Sequence, residues 1–202
     1  MELVFYYDVV CPYAYLGSTR IEALAQRTGV PLDWQPILLG GVFQAIGSPQ
    51  IPAHEMPASK ARLNLLDMHR WSSFLKVPLT LPVAHPRRTV EAMRLCHAVE
   101  GADRVRLTHA LYRAYFVDGR DVSDRAVLAT ICGELSLDPS LATARIDAPE
   151  IKDALRTSTA QAVSDGVFGV PGFVVVDGEQ RTLYWGQDRL NLVERALTRA
   201  AS

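Results

Sequence analysis

The sequence predicts an α/β fold in which the two ends of the chain form a sheet-containing unit and enclose a large all-helical insertion. Three observations support this prediction. Residues 2–38 have the pattern of a strand, a helix and a second strand, residues 58–146 have helical periodicity almost throughout, and strand patterns return near the C-terminus. A run of helices between strand-bearing ends is typical of an inserted helical layer.

The N-terminal segment predicts a βαβ unit. Residues 2–8 form a β-rich run, a Cys-Pro pair interrupts it, and residues 13–28 carry apolar side chains at helical spacing. Gly29 ends this helix, and residues 32–38 predict a second strand. Because the helix connects the two strands through a right-handed crossover, we expect them to lie parallel.

The middle of the chain predicts the helical insertion. Glycines and prolines between residues 40 and 57 indicate a breaker-rich loop that precedes the helices. The predicted helices cover residues 58–75, 86–100, 102–117 and 124–135. We therefore expect an inserted helical domain over residues 46–149 and a second domain formed by residues 1–45 and 150–202.

The C-terminal segment predicts a helix, a hairpin and a last helix. The elements are a helix over residues 151–164, strands over residues 173–176 and 182–185, and a helix from Gln187. Asp177-Gly178 separates the two strands and is a strong hairpin signal. These strands are therefore expected to pair with each other.

Composition and charge exclude several classes of protein. Hydrophobic residues make up 49% and charged residues 21%, the balance of a soluble globular protein. The formal net charge is −1 with dispersed charges, so neither nucleic acid nor an anionic membrane is an expected partner. The first ten residues lack a basic region and contain Asp8, so they predict no signal peptide, and no transmembrane run is present.

Three cysteines carry the main chemical signal. Cys11, Cys96 and Cys132 form no CxxC pair, which argues against a secreted disulfide framework and favours a cytoplasmic location. Cys11 lies where the first strand ends and the first helix begins, and helix N–H groups at that position should lower the pKa of its thiol. The alternative interpretation of Cys11 is a small buried packing residue. Cys96 and Cys132 lie on apolar helix faces and are predicted to pack in the core.

Metal and phosphate chemistry are not indicated. The five histidines are dispersed, with no pair at i, i+4 spacing and no cluster with cysteine, so no metal site is predicted. No P-loop or Rossmann fingerprint is present either.

Three segments carry a family resemblance. FYYDVVCPYAYLG near the start, GVFGVPGFVV late in the chain and WGQDRL near the end resemble a thioredoxin-fold family. This family contains DsbA-like disulfide oxidoreductases, kappa-class glutathione transferases and 2-hydroxychromene-2-carboxylate isomerases. The resemblance spans nearly the whole chain. It implies a thioredoxin-like fold with a helical insertion and glutathione as the cofactor, and it is compatible with a homodimer.

The resemblance also implies site residues. Cys11 would be the catalytic or sulfur-binding residue, and Val170-Pro171 would be a cis peptide whose Val170 N–H and carbonyl pair with the cysteinyl part of glutathione. Asp188, near the start of the last helix, would meet the glutathione ammonium group. The implied glutathione contacts are Cys11, Pro12, Tyr13, Ser48, Val170, Pro171, Gln187 and Asp188. The implied cations for a substrate carboxylate are Lys60, Arg87 and Arg88.

The sequence departs from the pattern of the family it resembles at three positions. Ala14 stands where dithiol oxidoreductases have their second cysteine, so no internal CxxC disulfide can form. Isomerases and kappa transferases usually have serine where this chain has Cys11. In addition, the Gly-Ser-Pro loop at Ser48 resembles a Gly-Asn-Lys-Pro stretch that binds glutathione in the kappa class, with serine in place of asparagine.

Three enzymatic hypotheses follow. The first is a glutathione-dependent cis–trans isomerase acting on an unsaturated, aromatic carboxylate. The alternatives are a single-cysteine thiol-disulfide oxidoreductase and a kappa-like glutathione transferase. A non-enzymatic binding module on the same scaffold is a fourth hypothesis.

Overall fold

The computed structural model of the chain describes residues 1–199 around one four-stranded sheet. The strands are β1 (Glu2–Tyr7), β2 (Leu32–Pro36), β3 (Gly172–Asp177) and β4 (Gln180–Trp185). Their order is β2-β1-β3-β4. β1 pairs parallel with β2 and antiparallel with β3, and β3 pairs antiparallel with β4. The predicted parallel pair and the predicted hairpin are both confirmed.

Helices make up most of the remaining described residues. They are α1 (Pro12–Thr28), α2 (Leu39–Ala45), α3 (Ala58–Leu75), α4 (Val90–His97), α5 (Gly101–Phe116), α6 (Arg125–Glu134), α7 (Ser140–Thr143), α8 (Pro149–Ser164) and α9 (Leu190–Arg199). Short 3-10 turns occur at Pro52–Glu55, Arg145–Asp147 and Gln187–Arg189. Residues 46–149 contain helices and loops without a strand, so the α/β fold with a helical insertion is confirmed. The domain boundaries stay a prediction. Every helix in residues 1–199 is too short or too polar to cross a lipid bilayer.

The prediction missed two helices, α2 and the one-turn α7 (Ser140–Thr143). α2 was missed because its glycines indicated a loop. Glycine is a poor helix former, but here a close helix contact requires a small residue. A Cβ on Gly41 would lie 3.1 Å from the Thr159 side chain of α8. The Leu38 N–H, just before α2, donates to Thr159 Oγ1 at 3.0 Å. Tertiary packing therefore stabilises a helix that local propensity does not predict.

The predicted helix over residues 86–100 was too long, because α4 covers Val90–His97 alone. The groups just before α4 bind other parts of the chain. The Arg87 N–H donates to the Tyr115 hydroxyl at 3.1 Å, and Thr89 Oγ1 donates to Asp8 Oδ2 at 3.1 Å. Likewise, the last helix begins at Leu190, because Gln187–Arg189 form a 3-10 turn.

Strand β1 lies at the centre of the core. All of its residues from Leu3 to Tyr7 are buried, since helices cover both faces of the sheet. The Phe5 ring stacks on Phe173 of β3 at a centroid distance of 5.3 Å and meets Trp34 of β2 edge-on at 5.0 Å. Aromatic contacts of this kind hold the three strands in register and fix the end of β1, where the candidate site begins.

Helix α1 packs so closely on β3 that Gly17 has no room for a side chain. A Cβ at this position would lie 3.2 Å from Phe173 Cζ and 3.7 Å from Pro171 Cβ. We expect Gly17→Ala to lower the free energy of unfolding by about 1 kcal/mol, because overpacking outweighs the better helix propensity of alanine. Urea denaturation measures the change.

Gly133 in α6 is the matched control for this substitution. A Cβ on Gly133 would meet no atom within 4 Å. Gly133→Ala should therefore raise the free energy of unfolding by about 0.5–1 kcal/mol. Equal stabilisation by both substitutions would show that α1 does not pack tightly on β3.

Candidate active site

Cys11 and the segment around Pro171 meet at the carboxyl end of β1. Cys11 is the N-cap residue of α1, with extended backbone angles (φ −92°, ψ 116°), and Pro12 begins the helix. The Cys11 thiol donates a hydrogen bond to the Val170 carbonyl, with an Sγ–O distance of 3.0 Å. The Val170-Pro171 peptide is cis, as predicted. The fold thus brings together two motifs that lie 159 residues apart in the chain.

The prediction of a lowered Cys11 pKa is wrong. Burial raises the pKa of the Cys11 thiol to about 12, and the nearby Asp8 charge adds to the increase. Hydrogen bonds from the backbone of Ala14 and Tyr13 oppose this change but do not overcome it. Cys11 keeps partial solvent exposure, but its sulfur is surrounded by protein. In the free protein Cys11 is therefore a neutral thiol that acts as a hydrogen-bond donor.

The Val170 backbone has the chemistry needed to hold an extended ligand. Its N–H has no hydrogen-bond partner among residues 1–199, and its carbonyl accepts from Cys11 alone. A peptide-like ligand could satisfy both groups, as an added strand does. The backbone beside Cys11 therefore fits the cysteinyl part of glutathione.

Tyr13 links the start of α1 to α3. Its hydroxyl donates to Asn64, at 2.9 Å from Oδ1 and 3.2 Å from the carbonyl oxygen. Burial raises the pKa of Tyr13 to about 12, helped by the charges of Asp67, Cys11 and Asp188. The Tyr13 hydroxyl therefore anchors the start of α1 to α3.

Gln187 and Asp188 lie in a turn beside Pro171. The Gly186 N–H donates to the Pro171 carbonyl at 3.1 Å, and Gly186 has a φ of 102°, which favours glycine. The Gln187 carbonyl and Oε1 each accept from Arg20 of α1 at 3.1 Å, so this side chain binds α1. Asp188 is exposed and pairs with Arg189 at 2.5 Å. Asp188 is thus the member of the pair that is accessible to a ligand.

A cavity of about 610 Å³ adjoins Cys11. It lies between α2 with its following loop and the segment before α4. Of the predicted site residues, the cavity is lined by Cys11, Pro12, Arg87 and Arg88. Ser48 is partly exposed in the loop after α2, and Lys60 is exposed on α3. Neither these two residues nor Tyr13 belongs to the cavity lining in the described chain.

Both arginines in the cavity have carboxylate partners. Arg87 Nη1 lies 2.5 Å from Asp121 Oδ2, and Arg88 Nη2 lies 3.0 Å from Glu91 Oε1. The Arg88 side chain is 65% exposed, so its ion pair contributes little stability and is the easier one to exchange. Arg88 is therefore better placed than Arg87 to receive a substrate carboxylate.

Asp8 is a cavity residue to which sequence reasoning assigned no role. Its carboxylate is 1% exposed and accepts hydrogen bonds from Val10 N (3.2 Å), Leu39 N (2.9 Å) and Thr89 Oγ1 (3.1 Å). Burial raises the pKa of Asp8 to about 6, although these hydrogen bonds oppose the increase. Asp8 thereby joins α2 and the segment before α4, which are opposite walls of the cavity. An acidic residue directly after a buried strand was the available sequence signal.

His85 is a further cavity residue without a predicted role. Its Nδ1 lies 3.0 Å from the Tyr115 hydroxyl. Its position beside Pro86 follows no periodic pattern, so the sequence offered no signal for it. Across residues 1–199, no group of three or more His, Cys, Asp or Glu side chains is arranged to hold a metal ion.

These features define a class of protein. A cysteine at the start of the first helix, facing the residue before a cis-proline on a β2-β1-β3-β4 sheet, is the arrangement of a thioredoxin-fold protein that has a single cysteine at this position. Residues 2–198 match the family model of the DSBA-like thioredoxin domain. The chain belongs to this family.

Individual proteins to which the chain is similar include 2-hydroxychromene-2-carboxylate isomerases and a kappa-class glutathione transferase. The chain is 28% identical over 193 residues to the 2-hydroxychromene-2-carboxylate isomerase of Sphingobium xenophagum, which covers 96% of each chain. It is 24% identical over 200 residues to glutathione S-transferase kappa 2 of Caenorhabditis elegans, covering 92% of this chain and 87% of the relative. A solved structure of a 2-hydroxychromene-2-carboxylate isomerase superposes with a TM-score of 0.83 at 25% identity, covering 100% of this chain and 96% of the other.

Proposed function

We propose that the protein is a glutathione-dependent cis–trans isomerase that acts on a small unsaturated, aromatic carboxylate. The observation that carries the proposal is the neutral Cys11 thiol, which acts as a hydrogen-bond donor at the mouth of a cavity that also contains Arg88. The similarity to 2-hydroxychromene-2-carboxylate isomerases supports the reaction class.

The residues of this chain fit a glutathione site in three places. The Val170 N–H and carbonyl would pair with the cysteinyl backbone, and the exposed Asp188 carboxylate would meet the ammonium group. When bound, glutathione would supply a thiolate that adds reversibly to an unsaturated carbon of the substrate. Cys11 would transfer its S–H hydrogen bond from the Val170 carbonyl to this sulfur. The Tyr13 and Ala14 N–H groups, at the start of α1, would stabilise its negative charge.

The cavity beside Cys11 would bind the substrate. Its lining is predominantly apolar, with the few polar groups that an aromatic carboxylate needs. Arg88 would exchange its exposed Glu91 partner for the substrate carboxylate, whereas Arg87 stays with Asp121. Lys60 lies on α3, outside this lining, so its side chain would have to reach the substrate carboxylate from there.

Two observations disfavour the oxidoreductase alternative. Ala14 leaves no thiol to resolve a mixed disulfide, and the raised Cys11 pKa leaves little thiolate to attack one. The transferase alternative retains the support of the kappa-class relatives. Product analysis separates the candidates, because an isomerase releases glutathione unchanged, whereas a transferase releases it as a thioether.

Substitutions at Cys11 test the proposal. With 2-hydroxychromene-2-carboxylate as substrate and glutathione present, we expect Cys11→Ser to retain activity, because a hydroxyl is the stronger donor. Cys11→Ala should lower kcat/KM by about 10-fold or more, which is the effect of losing one hydrogen bond to a charged group. Ultraviolet absorbance follows the isomerisation.

Mass spectrometry of the intact protein provides the control. Neither wild type nor Cys11→Ser should gain a glutathionyl group under reducing conditions. If Cys11→Ser loses isomerisation while wild type carries a glutathionyl adduct at Cys11, a redox function is supported instead.

A further inference from the structure

His85 shares the cavity with Cys11 and Arg88 and has an unused hydrogen-bonding group. It lies in the segment between α3 and α4 and is partly exposed. Its Nδ1 contacts Tyr115, while Nε2 has no hydrogen-bond partner among residues 1–199. The chemistry available to the cavity depends on which of the two nitrogens carries the proton.

Tyr115 determines this tautomer. Its side chain is fully buried, and burial raises the pKa of its hydroxyl, which stays protonated. The Tyr115 oxygen accepts a hydrogen bond from the Arg87 N–H at 3.1 Å. Within the described chain, the acceptor within reach of the hydroxyl proton is His85 Nδ1, at 3.0 Å. A buried hydroxyl needs an acceptor, so Tyr115 donates to Nδ1.

It follows that Nε2 carries the ring proton. Burial lowers the pKa of His85, so the ring is neutral near pH 7 and holds a single proton. With Nδ1 acting as an acceptor, that proton lies on Nε2. His85, which lines the cavity, therefore carries an N–H donor that has no partner among residues 1–199, and it lies with two arginines that both have carboxylate partners.

We propose that His85 is a substrate-binding residue, which donates a hydrogen bond from Nε2 to a carboxylate oxygen of the aromatic ligand in the cavity. This inference rests on the proposed function for the ligand class. Arg88 supplies positive charge from an exposed position, and His85 supplies a fixed donor that orients the carboxylate. Tyr115 and the Arg87 backbone hold the ring in place.

Two substitutions at His85 test the roles of its two ring nitrogens separately. Asn places an amide group near the position of Nδ1 and removes the donor at Nε2, whereas Gln can place an N–H near the position of Nε2. The dissociation constant of cinnamate, a simple unsaturated aromatic carboxylate, is measured by isothermal titration calorimetry without glutathione. We expect His85→Asn to weaken binding about 10-fold, the effect of losing a hydrogen bond to a charged group, and His85→Gln to stay within about 3-fold of wild type.

Nuclear magnetic resonance of the ring nitrogens gives a second readout that does not depend on a variant or on activity. The two-bond 15N–1H correlations of His85 in the wild-type protein should show the Nε2–H tautomer, and added cinnamate should shift the Nε2 resonance. An Nδ1–H tautomer, an absence of cinnamate binding by wild type, or equal affinity in wild type and His85→Asn would each overturn the inference.

Glutathione binding, measured in parallel, distinguishes this inference from the proposed function. If wild type and His85→Asn bind glutathione alike and also bind cinnamate alike, the role of His85 is refuted and the glutathione site stands. If wild type binds cinnamate through His85 but binds no glutathione, the proposed function fails and the carboxylate site stands.

Discussion

Cys11 of the free protein is expected to react with iodoacetamide about 100- to 1,000-fold more slowly at pH 7 than an unperturbed cysteine, because the thiolate is the reacting species. Burial raises its pKa from an ordinary value of 9.0 to about 12. The thiolate fraction falls about 10-fold for each unit of that increase. The alkylation rate should therefore rise about 10-fold per pH unit between pH 7 and pH 10, without levelling off.

Peptide-resolved mass spectrometry measures this rate at each thiol. Cys96 and Cys132 are buried and should react still more slowly, since reagent cannot reach them without local opening. A short cysteine peptide is the reference for an unperturbed thiol. Rapid alkylation of Cys11 at pH 6 would contradict the raised pKa and restore the reactive-thiolate interpretation, with thiol-disulfide exchange as the favoured chemistry.

Asp8→Asn is expected to gain about 2–3 kcal/mol of stability relative to wild type when the pH is raised from 4 to 7, since one pKa unit corresponds to about 1.4 kcal/mol. The pKa of Asp8 is 3.8 in its ordinary state and about 6 in the folded protein. Below about pH 3 the carboxyl is protonated in both states. Between about pH 3 and 6 the unfolded chain releases the proton and the native chain retains it, so rising pH lowers the stability of wild type. Asparagine does not titrate, so the variant does not lose this stability as the pH rises.

Urea denaturation of both proteins at several pH values tests the expectation. The difference between the two free energies of unfolding is the quantity of interest, since the other carboxylates titrate alike in both and cancel. Asp177→Asn, which removes an exposed carboxylate at the end of β3, is the control for the loss of a surface charge. A flat difference for Asp8→Asn would mean that Asp8 is not desolvated.

The sequence predicted candidate site residues where a local motif marks them. Cys11 with Pro12 marks a strand-to-helix junction, and the glycines around Pro171 mark a turn before a strand. The structure brings these motifs to a sulfur–oxygen distance of 3.0 Å. Asp8 and His85 lie in the same cavity, but no local motif marks them. Their hydrogen-bond partners, Thr89 and Tyr115, lie far from them in the chain.

The sequence by itself determined the elements that depend on local periodicity. α3 has the predicted bounds, Ala58–Leu75, and β3 and β4 form the predicted hairpin, in which Asp177 pairs with Gln180 across the turn. The parallel pairing of β1 and β2 likewise follows from the single helix between them. Each of these features is encoded within a few tens of residues, where backbone propensity and apolar spacing act together.

Only the tertiary structure decided α2, the start of α4 and the protonation of Cys11. α2 forms although its glycines predict a loop, because it packs closely on α8 at Gly41 and the Leu38 N–H binds Thr159 of α8. α4 starts late, because Arg87 and Thr89 bind Tyr115 and Asp8. The helix start predicted a lowered Cys11 pKa, and burial raised it instead. Desolvation and distant hydrogen bonds depend on what packs around a group, and no local pattern in the sequence encodes that.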